Sequence, residues 1–349
     1  MNIKTNVPLK DYTTMHLGGN ARFIAEASSL DELATLYKNA QRLNQSVFIL
    51  GGGSNMIVPD SGYDGLVICN RIPGFQVVEE DTEKTVIKVG AGEIWDSVVQ
   101  RTVEMNLTGI EALSAIPGTA GAAPVQNIGA YGQEVADSIL EVEAYDTQTS
   151  SFVKLTAEDC SFAYRYSIFR GTEQGRYAIT GITLRLFKGN PSPPFYDSLQ
   201  RYLDEHQITE YTPASIRTAV IAIRSDKLPD PKLLPNAGSF FKNAIIEEWQ
   251  VKELQQQNPE MPAYKMDGDH YKIPSGWLIE QTGLKGQLLH GMRVHTGNAL
   301  VLINESATGY ADLAAAREEI ITAVRDQFNI SIEQEPLEMP IAQSLQTQA

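Results

Sequence analysis

The 349-residue sequence predicts an α+β protein. Strand-like and helix-like segments are mixed along the chain without strict alternation, apolar content is an ordinary 42 %, and Pro-dense joints punctuate the second half. At roughly 100–200 residues per domain, the length fits two or three domains. Strands are expected at Arg22–Glu26, Ser46–Leu50, Gly65–Cys69, Thr85–Val89, Ile139–Asp146, Tyr177–Leu186 and Ala219–Arg224, where β-branched or alternating runs are mostly bounded by Gly, Asn or Asp. Helices are expected at Ser29–Gln41, Trp95–Met105, Tyr196–Glu205, part of Thr212–Ala222, Gly276–Gln281 and Ala311–Phe328. Ser29 stands in capping position before DELATLYKNA, and ADLAAAREEIITAVRDQF repeats apolar residues at helical spacing with acids early. Asn190–Pro194 and Leu228–Pro235 read as joints, the second being the better domain boundary.

Composition narrows the class. A formal charge of −15 repels a phosphate backbone, so no nucleic-acid partner is expected; a small anion needs only a few local cations. No apolar run approaches the ~20 residues of a membrane span, and MNIKTNVPLKDY has no apolar leader core. Cys69 and Cys160 read as two reduced thiols of a cytoplasmic protein, and no Cys/His spacing suits zinc. The residues AQSLQTQA read as a loose polar tail.

Two glycine-rich segments carry the functional signal. In the first, a strand ending VFIL runs into Gly51, Gly52, Gly53, Ser54 and Asn55. Glycines there let a phosphate approach the backbone, whose successive N–H groups form an anion-binding concavity, and Ser54 and Asn55 add side-chain donors. Neither a GxGxxG opening a helix nor a GxxxxGK[ST] is present, which excludes the nicotinamide-type Rossmann fingerprint and the P-loop. The second segment, IEALSAIPGTAGAAPVQNIGAYGQEV (Ile110–Val135), is small, nearly uncharged and rich in Gly, Ala and Pro. Such backbone suits close contact with a large planar ligand, with the amides of Gln126 and Asn127 to bond it. Taken alone, the first segment reads as a tight loop, whereas the second still reads as ligand-facing backbone rather than a small-residue packing segment.

Together these segments resemble the UDP-N-acetylenolpyruvoylglucosamine reductase family. The likeness extends through YTTMHLGGNARF (Tyr12–Phe23), FAYRYSIFR (Phe162–Arg170), SDKLPDPK (Ser225–Lys232), NAGSFFKN (Asn236–Asn243), GWLIEQTGLKG (Gly276–Gly286), HTGNALVLIN (His295–Asn304) and IEQE (Ile332–Glu335). The resemblance implies a two-part FAD-binding domain of the vanillyl-alcohol-oxidase type, in residues 1–70 and 71–228, with a tyrosine-loop insertion near 190–218. A C-terminal α+β substrate-binding domain, 229–338, and a tail, 339–349, would follow. It further implies non-covalent FAD, NADPH as co-substrate, activation by a monovalent cation such as potassium, a UDP-sugar substrate and a monomer. The implied reaction turns an enolpyruvyl ether of UDP-N-acetylglucosamine into UDP-N-acetylmuramate, a peptidoglycan precursor.

The same resemblance assigns residues. Ser239 would deliver a proton to carbon: serine is a weak acid, but a carbanion is a strong base. Arg165 would face the substrate carboxylate with its planar fork. Glu335 would complete the catalytic set, although Pro336 and Leu337 follow it where the family usually has Val-Arg, so Glu333 remains a rival. The cofactor would contact Gly51, Gly52, Gly53, Ser54, Asn55, Ile116, Pro117, Gly118, Thr119, Gly121, Ala122, Gln126, Asn127, Gly129, Ala130, Tyr131, Gly132 and Arg224. Tyr196, Lys227 and Asn243 would hold substrate. Gln281, Lys285 and His295 lie in matching segments without an assigned chemistry, and Tyr164 is expected to pack. Read without the resemblance, Ser239 is a structural hydroxyl and Arg165, Arg224, Lys227 and Glu335 are surface charges. An FAD-linked alcohol or aldonolactone oxidase would share the glycine-rich segments but not NAGSFFKN or SDKLPDP. A non-catalytic dinucleotide-binding module would leave Arg165, Ser239 and Glu335 unexplained.

Overall fold

The computed structural model describes residues 2–340. Near the N-terminus, a four-stranded sheet runs in the order Lys4–Pro8, Asn20–Ala27, Tyr63–Asn70, Val47–Leu50. The first pair is antiparallel and the other two are parallel. The helix Leu30–Arg42 follows the second strand in sequence, as a parallel connection requires. Ser29 Oγ accepts from Glu32 N–H at 3.2 Å, which starts the helix as its capping position predicts. Leu33, Leu36 and Ala40 fall on one face and are buried with Ala25, Ala27, Leu66 and Ile68 of the sheet.

A second, antiparallel sheet follows, ordered Ser151–Thr156, Ile139–Asp146, Tyr177–Lys188, Lys84–Gly90, Phe75–Glu80. Against it packs the helix Trp95–Glu104, with Trp95, Val98 and Val99 buried beside Ile87, Val89, Ile182 and Leu184. The segment Ile110–Val135, read as lying flat against a ligand, forms short 3₁₀ turns and a two-stranded hairpin between this core and the first sheet.

The C-terminal region has its own core. A sheet ordered Asn236–Ser239, Val301–Asn304, Met292–Val294, Leu288–Leu289 is joined by a smaller one of Ala244–Glu247, His270–Ile273 and Tyr264–Lys265. The helices Ser275–Gln281 and Tyr310–Phe328 bury Leu278, Ile279, Leu313, Ala316, Ile320, Val324 and Phe328 in that core. The chain then crosses back. Leu337–Glu338 pairs in parallel with Met56–Ile57, and Met339 N–H donates to the Ile57 carbonyl at 2.8 Å. Met339 is therefore buried, although it falls in the stretch read as tail. AQSLQTQA lies outside the described residues.

One expected element is wrong in kind. Ala219–Arg224, read as a strand for its VIAIR run, belongs to the helix Pro213–Lys227. Thr212 and Ser215 form a reciprocal cap, with Thr212 N–H donating to Ser215 Oγ at 2.9 Å and Ser215 N–H to Thr212 Oγ1 at 3.1 Å, and Pro213 starts the first turn. Ile216, Ala219, Val220 and Ile223 are buried at helical spacing against Leu199 and Leu203 of the helix Asp197–Glu205. Capping and helical packing outweigh the strand preference of branched residues. The helix Glu248–Gln257 was not anticipated; its glutamine-rich sequence buries only Val251 and shows little periodicity. Among the described residues no helix is long and apolar enough to cross a membrane, and Cys69 and Cys160 are unbonded and buried.

Candidate active site

The glycine turn leaves the end of the strand Val47–Leu50 and meets Ile116–Thr119 at backbone contact. A Cβ on Gly52 would lie 2.9 Å from Gly118 Cα. A Cβ on Gly53, whose φ is 67°, would lie 1.9 Å from the Tyr12 carbonyl oxygen. No other residue fits either position without moving backbone. Ser54 Oγ donates to the Pro117 carbonyl at 3.2 Å, and Arg71 Nη1 donates to the Gly51 carbonyl at 3.0 Å, fixing the turn from both sides. The Gly118 carbonyl accepts from Trp95 N–H at 3.1 Å, tying the second loop to the start of a helix in the second sheet's core.

These two loops form one side of a cleft with about 1280 Å³ of space, its open mouth included. A smaller cavity beside it shares Phe48, Ile49, Gly51, Thr119 and Ala122 in its lining. The opposite side of the main cleft comes from distant segments. Arg165 occupies the corner of a tight turn closed by Ala163 and Tyr166, which exchange backbone hydrogen bonds at 3.1 and 3.0 Å. Its φ is 53°, an unfavourable left-handed conformation for a residue with a side chain. The turn aims the guanidinium inward, where Nη2 donates to the Gly129 carbonyl at 2.9 Å. Nε lies 3.0 Å from Glu335 Oε1, near enough for an ion pair but too far off line for a hydrogen bond.

Glu335 reaches the cleft because its segment runs antiparallel to Phe240–Lys242. Glu335 N–H donates to the Phe240 carbonyl and Lys242 N–H to the Glu333 carbonyl, each at 2.9 Å. Ser239 ends the strand Asn236–Ser239, opposite Val301, one residue before the Phe240 whose carbonyl holds Glu335 N–H. Both line the cleft. The Glu335 side chain is only 12 % exposed. Burial raises its pKa above the ordinary carboxylate value, against the pull of Arg165, Arg170 and Lys242 toward ionisation. Glu333 points elsewhere: its side chain is 73 % exposed and pairs with Lys242 at 3.0 Å. The two acids thus flank the bridge between Phe241 and Gln334, but their side chains differ in exposure and partners.

Arg170, not singled out from the sequence, spans the cleft. Its Nη1 donates to Gln126 Oε1 and its Nη2 to the Glu335 carbonyl, both at 2.7 Å. Gln126 Oε1 also accepts from Asn55 Nδ2 at 2.6 Å. Arg224 completes the lining, its Nε buried without a hydrogen-bond partner among the described residues. Burial lowers its pKa. No local pattern marks Arg170; its position in FAYRYSIFR, five residues after Arg165, is the one available signal.

Of the expected cofactor contacts, Gly51–Asn55, Ile116–Thr119, Ala122, Gln126, Gly129 and Arg224 line the main cleft. Others do not. Gly121 packs on Ala91, where a Cβ would come within 2.5 Å of the alanine methyl, and reaches only the smaller cavity. The Asn127 side chain is spent on protein: Nδ2 donates to Glu134 Oε2 at 2.6 Å and Oδ1 accepts from Ala136 N–H at 3.0 Å. Ala130, Tyr131 and Gly132 form the hairpin behind Gly129 and are absent from the lining. Tyr131 packs edge-on against Tyr196, with ring centroids 6.2 Å apart. Tyr196 itself is 41 % exposed at the start of the helix Asp197–Glu205. Lys227 is exposed in the last turn of its helix. Asn243 accepts from Ser275 N–H at 3.2 Å at the start of a helix. Phe240 and Phe241, which follow Ser239, are buried in the C-terminal core.

Comparison with known proteins accounts for this arrangement in two steps. Residues 21–156 match the family model of an FAD-binding domain, which places the chain among FAD-dependent oxidoreductases. Residues 230–338 match the model of the UDP-N-acetylenolpyruvoylglucosamine reductase C-terminal domain. The protein of that name from Dechloromonas aromatica is 38 % identical over 340 residues, covering 97 % of this chain and 99 % of its own. The one from Neisseria gonorrhoeae is 38 % identical over 344 residues, covering 98 % and 99 %. The solved structure of the Thermus caldophilus reductase superposes with a TM-score of 0.68 over 97 % of this chain at 23 % identity, a likeness of fold. The chain belongs to the UDP-N-acetylenolpyruvoylglucosamine reductase family.

Proposed function

We propose that this chain reduces the enolpyruvyl ether of UDP-N-acetylglucosamine to UDP-N-acetylmuramate, with NADPH as reductant and FAD held non-covalently in the cleft. One observation carries the reading: a glycine cradle for a dinucleotide opens directly onto Arg165, Ser239 and Glu335, which arrive from three separate segments. The cleft suits FAD on its own terms, with backbone glycines that admit no Cβ and the buried Nε of Arg224 lacking a protein partner. Gly51–Asn55 and Ile116–Thr119 would hold the cofactor, with Gln126, Gly129 and Arg224. Bound there, FAD supplies hydride transfer from NADPH to the terminal carbon of the enol ether.

The residues supply the rest. Hydride addition leaves negative charge on the carbon beside the substrate carboxylate. Arg165 sits where its guanidinium meets that charge without reorganising, because its turn and the Gly129 carbonyl already fix it. Ser239 Oγ would deliver a proton to the same carbon. Glu335, its protonated form favoured by burial, would donate a hydrogen bond or orient Arg165. Tyr196, Lys227 and Asn243 would contact the UDP-sugar once the segment near 190–218 closes over it. The domain division at 70, 228 and 338, a cytoplasmic monomer and activation by potassium are parts of the same reading.

Purified protein should be yellow. NADPH added without oxygen should bleach it, and the enolpyruvyl sugar nucleotide should restore the colour. Colourless protein that FAD cannot reconstitute, or bleached protein that the sugar nucleotide leaves bleached, would sink the reading.

A further inference from the structure

We propose that Arg170 is a positioning residue: it clamps the segment carrying Glu335 to Gln126 in the flavin cradle, so that acid and cofactor are set by one side chain. The inference rests on the function proposed above. Arg170 lies at the seam between the second sheet's core and the C-terminal region. Its two Nη groups form a fork, one prong on Gln126 Oε1 and one on the Glu335 carbonyl, both at 2.7 Å. Two donors of a planar guanidinium thus fix the distance between two acceptors that belong to different parts of the fold. Gln126 is held in turn by Asn55 Nδ2 at 2.6 Å, which carries the constraint into the glycine turn. The contact with Glu335 is to backbone, so Arg170 sets where the carboxyl stands without touching the reacting atoms.

Arg170 also contributes charge. Glu335 is faced by Arg165 from the turn at Ala163–Tyr166, by Arg170, by Lys242 from the adjacent segment and by the Tyr164 phenol. Glu333 lies near Arg170 from the outer side. Arg170 is one of three cations favouring the ionised acid, so its removal lets burial push the Glu335 pKa further up. That shift reads the charge of Arg170, whereas the fork is read by a lysine substitution, which keeps the charge and loses the second donor geometry.

The test compares FAD-loaded wild type with Arg170→Gln, Arg170→Lys and Glu335→Gln. The two half-reactions are followed separately across pH, and Glu335→Gln identifies the limb of the profile that belongs to the acid. Arg170→Gln, which frees Gln126 in the cradle, should hold FAD less tightly, and once loaded should lose less in its reduction by NADPH than in its oxidation by the sugar nucleotide. It should slow oxidation by the sugar nucleotide roughly 10–100-fold, the factor one charge-assisted hydrogen bond commands. It should also move the Glu335 limb to higher pH. Arg170→Lys should return the limb toward its wild-type position while the rate stays depressed, because an ammonium keeps the charge but not the fork. If Arg170→Gln fails to fold or to hold FAD, the lysine variant carries the test. An unmoved limb in Arg170→Gln, an equal loss in both half-reactions, or full recovery of rate in Arg170→Lys would overturn the proposal, as would a profile from which Glu335→Gln removes nothing. A wild type inactive with the sugar nucleotide would instead refute the proposed function.

Discussion

The two sides of the cleft are built in opposite ways. The cradle is backbone: Gly51–Asn55 and Ile116–Thr119 come within van der Waals contact, and their shape is set by what glycine lacks. The facing wall is side chain: Arg165, Ser239 and Glu335 reach the cleft from a strained turn, a strand end and a bridged segment. A backbone surface can hold a cofactor common to many reactions, whereas a side-chain surface can match the charge of one transition state. If that division is right, damage to each side should produce a different defect.

The largest effect is expected on the wall. Ser239→Ala should slow flavin oxidation by the sugar nucleotide by about 10²–10⁴, the usual contribution of one general acid, and leave bleaching by NADPH intact. Stopped-flow absorbance separates the two steps, and equal losses in both would merge the two sides into one. Arg165→Met should cost about 10²–10³ in the same half-reaction, as removal of one preorganised donor does. On the cradle, Gly52→Ala forces a methyl against Gly118. Overpacking of about 1–3 kcal/mol should weaken FAD binding roughly 10–100-fold, while turnover at saturating FAD stays near wild type. Titration of apoprotein with FAD checks it.

Glu335 sharpens the comparison through pH. Its folded pKa is raised by burial, so the folded state binds the proton more tightly than the unfolded one. The stabilisation linked to that proton is complete below the unfolded carboxyl pKa of about 4.3 and is lost as pH rises through the higher folded value. Glu335→Gln cannot lose it. The thermal midpoint of wild type relative to Glu335→Gln should therefore fall as pH rises from the acid range toward neutrality, and a constant difference would contradict the raised pKa. The smallest effect is expected from Glu333→Gln, an exposed surface change that should alter stability by no more than about 0.5 kcal/mol and leave turnover unchanged.

The same division governs what the sequence discloses. Gly51–Asn55 is legible because a strand, a glycine run and two polar residues are contiguous, and the reason for the glycines is local. The resemblance picks out Arg165, Ser239 and Glu335, but nothing in YRYS or GSFF says that these residues meet. That depends on Glu335 lying beside Phe240, a pairing set by the C-terminal fold. Arg170 stayed hidden for the same reason, since its partner Glu335 is 165 residues away. Asn127 misleads in the other direction: it sits in a segment rich in expected cofactor contacts, yet its amide closes a bend with Glu134 and Ala136. The strand expected at Ala219–Arg224 fails because the decisive residues, Thr212 and Ser215, stand a turn upstream in the cap.

The return of Leu337–Glu338 to Met56–Ile57 has a consequence for how the molecule comes into being. Chains emerge from the ribosome N-terminus first, and early domains fold while later ones are still being made. The glycine turn is made early, but the strand beside Met56–Ile57 and the acid two residues before it follow only after the whole C-terminal core. A nascent chain thus carries a cradle with one rim open and no acid across from it. Arg165 and Ser239 are already made at that stage; of the facing wall, only Glu335 is missing. A chain interrupted before residue 335 would keep the glycine turn but lack both Glu335 and the strand that closes on Met56–Ile57.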